Sequence, residues 1–418
     1  MRVIIIGGGI AGLAAAIGLR RAGHQVKVLE RSSYLREVGA AIHVCPNASR
    51  VLLSWGFDPE RARMVTARRS IFVLGSSLQP VFEFDCSSVP ETYDAPWLLA
   101  HRVDLHSELR RLATVQEGPG APAEIVLNSE VIAYDAQKGS ITLADGSIQE
   151  ADLLVAADGV HTSAIHQVVG QGRPAVSTGS AAFRFIIPTE ELRRDPETAL
   201  LVGDGVMRVL VAEGLRRLVS YPCADNTLQN FVAIHSDQEN DGREPENWDR
   251  SAGVTDVLAH YPDFHPSALA VIKKATSIKR WPLLYRDPIA TWSCGRLVLI
   301  GDAAHPMLPH HGQGGAQAIE DAGALSEIFT QLPASPGLGE IHRRLRVFET
   351  VRVKRASALQ ILSNAGMDEA WKIRERAQQY MPEGVPVPTS PLELMEHNFR
   401  YDVLKHSQQQ LQSYLREQ

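Results

Sequence analysis

The chain has 418 residues, 44% hydrophobic and 22% charged, with a formal net charge of -6 at pH 7. That length accommodates two or three units of ordinary domain size with a large core, and the composition is that of a globular protein in water. The acidic balance excludes a dedicated nucleic-acid binder, which needs a basic surface to displace phosphate counterions, and four scattered cysteines without a CxxC pair (Cys45, Cys86, Cys223, Cys294) read as buried thiols, with no metal site expected.

The opening "MRVIIIGGGIAGLAAAIGL" imitates a signal peptide, but three consecutive glycines break the helix that a signal needs. No unbroken apolar run reaches membrane-spanning length, so the expectation is a cytoplasmic protein without an integral membrane segment. Glycine spacing explains the start better. Val3 to Ile6 is a short β-branched run, Gly7-x-Gly9-x-x-Gly12 follows at once, and Leu13 to Arg20 is helix-forming. "QVKVLE" then reads as a second strand ending in Glu30, 18 residues after Gly12. This is the pattern of a dinucleotide-binding βαβ unit. Its glycines permit a tight turn and close backbone approach, its helix start faces a pyrophosphate, and its terminal acid holds ribose hydroxyls. The motif by itself leaves NAD and FAD both open.

Further along, Gly118-x-Gly120 in "EGPGAPAE" is a proline-bounded loop and not a second copy. In "ADLLVAADGVHTSA" a buried strand from Leu153 runs into Asp158-Gly159. The segments "SAAFRFIIP", "VMRVLVA", "RRLVSYP" and "QNFVAIHS" are short, β-rich and partly alternating, which predicts an antiparallel sheet. "GRLVLIGDAAHP" repeats the strand-to-acid pattern, with Leu297 to Ile300 ending on Gly301-Asp302. The basic run "RRLRVFETVRVKR", 343–355, is interleaved with Leu345, Phe348 and Val351 and predicts an amphipathic helix with a solvated basic face. The proline-rich stretch 381–391 reads as a connector before one last helix, which caps the first domain or mediates contacts in a homodimer.

Three strands ending on glycine or aspartate, near residues 7, 158 and 301, resemble the ordered fingerprints of the single-component FAD-dependent aromatic hydroxylases. "EVGAAIHVCPNASRVLLSWG", "LLAHRVDLHSEL", "RWPLLYRDPIATWSCGRLVLIGDAAHP", "VRVKRASALQ" and "NFRYD" extend the likeness over nearly the whole chain. It is strongest toward the branch of salicylate hydroxylase and 3-hydroxybenzoate 6-hydroxylase. The resemblance implies an α/β protein with a Rossmann-like FAD-binding domain (1–72, 98–178 and 280–375), an inserted β-sheet substrate domain (73–97 and 179–279) and C-terminal helices (376–418). It implies tightly bound FAD, transient NAD(P)H, O2, and a C4a-hydroperoxyflavin that hydroxylates a small phenolic or related conjugated ring. The alternatives are an FAD-dependent epoxidase or dearomatising oxygenase, or an FAD-dependent reductase. A monomer and a homodimer are both compatible.

The cofactor residues expected from motif and resemblance together are Gly7, Gly9, Ala11, Gly12, Glu30, Arg31, Ala41, Arg102, Asp158, Gly301, Asp302, Pro309, Gly312, Gly314 and Gly315. Asp302 is expected to accept from ribityl hydroxyls, and Pro306 and Pro309 to stiffen the loop beside the reacting flavin edge. The helix starting near Gly315, with Ala318, Ala322, Leu325 and Phe329 on its apolar face, turns its positive end toward the ring. Glu320 and Asp321 are expected in its first turns as tolerated anions. A ring-activating general base is sought among His43, His311 and His310, in that order. Arg184 and Tyr221 are the expected substrate groups, with Trp281 and Tyr285 as further candidates. After Asp158-Gly159 the family carries Ser and then Arg; this chain has "VHTSAIHQ", so Thr162 or Ser163 takes the hydroxyl role, the Arg is missing, and NADH against NADPH stays open.

Overall fold

The three apolar runs that end on glycine or aspartate are neighbouring strands. The computed structural model describes residues 1–33, 41–170, 174–237 and 251–417; residues 37–40 of the expected flavin-side loop lie outside that set. Leu297–Leu299, Leu153–Ala156, Arg2–Ile6, Gln25–Leu29 and Glu124–Val126 run parallel in that order, with Ser293–Cys294 antiparallel at one edge. Leu297–Leu299, Leu153–Ala156 and Arg2–Ile6 are buried at every residue except Arg2, as expected of a parallel sheet covered on both faces.

Glycine allows the first helix, Ile10–Arg21, to sit directly on this sheet. A Cβ on Gly12 would lie 1.9 Å from the Gly7 carbonyl oxygen, and one on Gly7, at φ +103°, would lie 2.4 Å from that of Ala157. On its outer side the helix packs against the helices Arg102–Thr114 and Gly314–Ile328.

The β-rich middle forms an eight-stranded sheet. Its order is Ser251–Ala252, Ile278–Tyr285, Val176–Pro188, Leu228–Ser236, Arg217–Cys223, Val206–Val211, Arg69–Leu74, Pro80–Asp85. Pairing is antiparallel except between Val206–Val211 and Arg69–Leu74. Ile278–Tyr285 straddles the expected domain boundary at 279/280 and pairs along Val176–Pro188, with Ala182 opposite Trp281. One face packs Phe185 and Phe231 in a cluster with Val257 and Val271 of the helices Val254–His260 and Pro266–Lys273, and the other presents Val232, Ile234 and Leu283 toward Leu308 of the first domain.

The C-terminal third departs from the sequence expectations at three points. The basic face of the long helix Leu338–Leu362 is only partly solvated: Arg344 and Arg352 are 2% and 0% exposed because both meet buried acceptors. Glu320 and Asp321, expected as anions tolerated in the first turns of their helix, are fully buried ion-pair partners. Two terminal helices follow the connector, Pro391–Phe399 and Val403–Arg416, because the Asp402 side chain accepts from the Lys405 amide (3.1 Å) and starts a new helix. The last helix packs on Gly314–Ile328, Leu338–Leu362 and Pro46–Ser54, so the tail covers the first domain. Cys45, Cys86 and Cys223 are buried, whereas Cys294 is only half-buried.

Burial keeps several imidazoles neutral. His235 and His397 are held down to about 4 and His311 to about 3, chiefly by desolvation. In the unfolded chain each titrates near about 6.5. As pH falls below that value the unfolded chain takes up protons that the folded chain refuses, so stability declines. We expect the melting temperature to be flat above about pH 7 and to drop between about pH 6.5 and 5.5, before carboxylates titrate. A melting temperature that rose across that window would contradict the burial of these rings.

Candidate functional site

Because the parallel strands stop together, their carboxyl ends form one edge, and a cavity of about 870 Å3 runs from that edge to the face of the eight-stranded sheet. Gly7, Gly9, Ala11, Glu30 and Arg31 line one end. The Glu30 carboxylate accepts from the amides of Gly8 (2.8 Å) and Ser32 (2.9 Å), which fixes it at the tip of its strand. Gly12 and Gly301 are not among the lining residues; both serve close packing, and a Cβ on Gly301 (φ +58°) would lie 2.9 Å from the Ala11 Cβ.

His106 was missed by sequence reasoning. It lies four residues after Arg102, one turn along the same helix face, and that spacing was the available signal. Both side chains line the cavity, and His106 Nε2 donates to the Gly8 carbonyl at 2.7 Å.

In the middle of the cavity stand the two aspartates. Tyr134 donates to Asp158 (2.9 Å), and burial raises the Asp158 carboxyl above the usual range against the pull of Thr162 and Tyr134. Thr162 hydrogen-bonds to the Asp158 carboxyl and accepts from the Ala164 amide (3.1 Å), while Ser163 borders the cavity. Asp302 opens onto the cavity yet is crowded by protein. Desolvation raises its carboxyl, opposed by His305, Arg102 and Arg286. Arg286, also missed, is 3% exposed and donates to the carbonyls of Ala303 (2.9 Å) and Val160 (2.7 Å), which ties together the turns that carry Asp302 and Asp158.

Pro309, Gly312, Gly314 and Gly315 form the next wall, and Ala41 and His43 the adjoining one. Residues 309–311 are a 3-10 turn, so positions three apart share a face. Pro309 and Gly312 line the cavity, and the same geometry takes His310 and His311 off it; His311 is buried beside the Ala365 backbone.

The sheet supplies the far end. The Arg184 guanidinium lies 4.5 Å from the Trp281 ring centroid, and burial together with Arg102 lowers it to about 10, so it stays cationic at neutral pH. Tyr221 meets His43 edge-on at 4.4 Å, and burial pushes the phenol up and the imidazole down to about 4. His43 Nε2 and Arg184 Nε are buried without a hydrogen-bond partner among the described residues. Tyr285 is not part of the lining; its hydroxyl donates to Asp287 (2.5 Å).

The donor set fits a long anionic ligand with a flat apolar end. Both helices that start at the cavity, at Ile10 and Gly314, lack a side-chain cap and an acid in the first turn, whereas Asp195, Ser390 and Asp402 cap other helices. A Cβ on Gly9 or Gly314 would meet no protein atom within 4 Å. Among the described residues no group of three or more His, Cys, Asp or Glu could hold a metal, and no helix is long and apolar enough to cross a membrane.

Comparison with known proteins agrees with this geometry. Residues 144–335 match the model of the FAD binding domain, and residues 1–225 match that of the pyridine nucleotide-disulphide oxidoreductases. The chain is 41% identical over 411 residues to the FAD-dependent monooxygenase cfoG of Aspergillus candidus, covering 96% of this chain and 93% of that one. It is 31% identical over 428 residues to hispidin-3-hydroxylase of Neonothopanus nambi, covering 100% and 97%. A solved salicylate hydroxylase substrate complex shares the fold, with a TM-score of 0.75 at 24% identity over 98% of each chain. The chain belongs to the FAD-dependent monooxygenases of aromatic hydroxylase type.

Asp302→Ala removes the carboxylate from the centre of the cavity. Charge-assisted hydrogen bonds contribute roughly 1.5–3 kcal/mol, so FAD affinity should fall about tenfold or more and the purified protein should be largely colourless while circular dichroism stays unchanged. Full FAD occupancy in this variant would remove Asp302 from the cofactor set.

Proposed function

We propose that FAD lies extended through the cavity and that the enzyme uses NAD(P)H and O2 to hydroxylate a phenolic or related conjugated ring. When bound, FAD would take a hydride from NAD(P)H and activate O2, so that one oxygen atom enters the ring and the other leaves as water. The uncapped amides after Gly9 would face the pyrophosphate, Glu30 the ribose, and Asp302 the ribityl chain. The positive end of the helix at Gly314 would favour the reduced, anionic ring. Pro309 stiffens the loop between them.

The observation that carries the substrate assignment is the Arg184, Trp281, Tyr221 and His43 cluster in the same cavity as Gly312–Gly315. A cationic guanidinium against aromatic and aliphatic walls receives a flat ring with an anionic oxygen. Arg184 favours the phenolate that electrophilic attack requires. His43 is a weak base: a phenol near 10 and an imidazole near 4 are separated by about 8 kcal/mol. We therefore assign it an orienting role as a neutral imidazole against the ring, the phenol proton being lost to solvent as the substrate binds and Arg184 pairing with the phenolate oxygen. Val219, Val232, Ile234 and Leu308 keep that end apolar and limit water around the reacting atoms.

Adding NADH or NADPH anaerobically with and without a panel of phenolic acids tests the proposal. Bleaching of the flavin spectrum accelerated by an aromatic compound supports it, and a rate indifferent to every aromatic refutes it in favour of a reductase. Arg184→Met should raise the substrate KM at least about tenfold with unchanged FAD content, as loss of a charged hydrogen-bonding partner predicts. An unchanged KM would take Arg184 out of the substrate site.

A further inference from the structure

We infer that Arg352, on the long helix and not among the residues lining the cavity, is a positioning residue that holds three walls of the flavin site in register through Asp321 and Glu320. Its guanidinium has no solvent exposure. Nε donates to Asp321 Oδ1 (2.8 Å), Nη1 to Glu320 Oε2, and Nη2 to Gln317 Oε1 (2.8 Å). Each acid then reaches a different part of the cavity.

Asp321 Oδ2 accepts from the Gly301 amide (2.8 Å) and from His305 Nε2 (2.6 Å), and these two residues bracket the turn that presents Asp302. Glu320 Oε1 accepts from Asn47 Nδ2 (2.6 Å), and the same amide donates to Gln313 Oε1 (3.2 Å). Gln313 is the residue from which the helix Gly314–Ile328 starts. Asn47 stands in the first turn of Pro46–Ser54, directly after the strand Ala41–Val44 that carries His43. The guanidinium thus connects the Asp302 turn, the Gly314 helix start and the His43 strand.

A second cation reaches the same hub from outside. Arg355 donates to Glu320 Oε1 (3.2 Å) and to the carbonyls of His397 (3.0 Å) and Asn398 (3.1 Å), with its guanidinium 4.3 Å from the Tyr401 ring centroid. The C-terminal helices are fastened to the flavin walls by this contact.

The charges are needed for the geometry. Desolvation would push both carboxyls up, but Arg355 and Arg352 outweigh it at Glu320, and His305 and Arg352 do so at Asp321, so both acids stay ionised. Only an ionised Asp321 accepts from Gly301, His305 and Arg352 at once; a neutral group there must drop or reverse one of these bonds. A well-packed apolar replacement for a buried ion cluster is often as stable as the cluster, so stability alone does not demand these residues.

The decisive comparison sets wild type and Arg352→Lys beside the triple Glu320→Gln/Asp321→Asn/Arg352→Met, in which Arg355 keeps the carbonyls of His397 and Asn398 and the Tyr401 ring as partners. FAD affinity is read from flavin fluorescence on adding FAD to apoprotein, and the midpoint potential is read after reconstitution. The inference rests on the cavity holding FAD, and rebinding by wild-type apoprotein tests that separately. We expect the folded triple to bind FAD at least tenfold more weakly with a displaced midpoint potential, and Arg352→Lys to fall between it and wild type. A folded triple with wild-type affinity and potential would overturn the positioning role. Should the triple not fold, wild-type affinity and potential in Arg352→Lys would do the same.

Discussion

Four parallel strands that stop at one edge are the constraint on which everything else in this molecule depends. Hydrogen bonding between Leu297–Leu299, Leu153–Ala156, Arg2–Ile6 and Gln25–Leu29 aligns the turns that follow each of them. Gly7, Glu30, Asp158 and Asp302 come from regions of the chain up to about 300 residues apart, yet they face a single cavity because each follows a strand end. The alignment tolerates no extra atoms. Side chains on Gly7 or Gly12 would collide with backbone, and the first helix would be lifted off the sheet.

Charge is distributed over two layers around that cavity. Those at the surface of the cavity, Arg184, Asp158 and Asp302, have proton affinities set mainly by desolvation. Behind them Arg352, Glu320, Asp321 and His305 satisfy one another completely enough to stay buried. Removing one partner of such a cluster costs about 3–5 kcal/mol, because the remaining charge is left without compensation in the interior. Arg286 does related work with carbonyls in place of carboxylates, joining the Asp158 and Asp302 turns, which lie far apart in the chain.

Much of the cofactor end was legible because its chemistry is local. A glycine needed for a tight turn, the helix that follows it and an acid one residue past the next strand are written within one continuous βαβ segment. The substrate end was legible in type but not in arrangement. Arg184 and Trp281 meet through the register that sets Ala182 opposite Trp281, and Tyr221 meets His43 across two different sheets. His311 and His310 stood behind His43 as candidates in the sequence, and the 3-10 turn presents only Pro309 and Gly312 to the cavity. The basic helix misled for a similar reason: its periodicity separates polar from apolar positions, and cannot show that Arg352 points at two acids buried in a neighbouring helix.

By itself, then, the amino-acid order determined the dinucleotide-binding start, the acids at the strand ends, the β-rich insertion and the class of chemistry, since each follows from backbone requirements satisfied by near neighbours. Only the tertiary structure decided which of the candidate histidines His43, His310 and His311 reaches the cavity, which arginine stacks over an aromatic ring there, and which carboxylates are buried. Those outcomes depend on strand register and helix packing between distant segments, and the burial they produce, not the residue type, sets whether a side chain is a ligand contact, a neutral imidazole or a hidden ion.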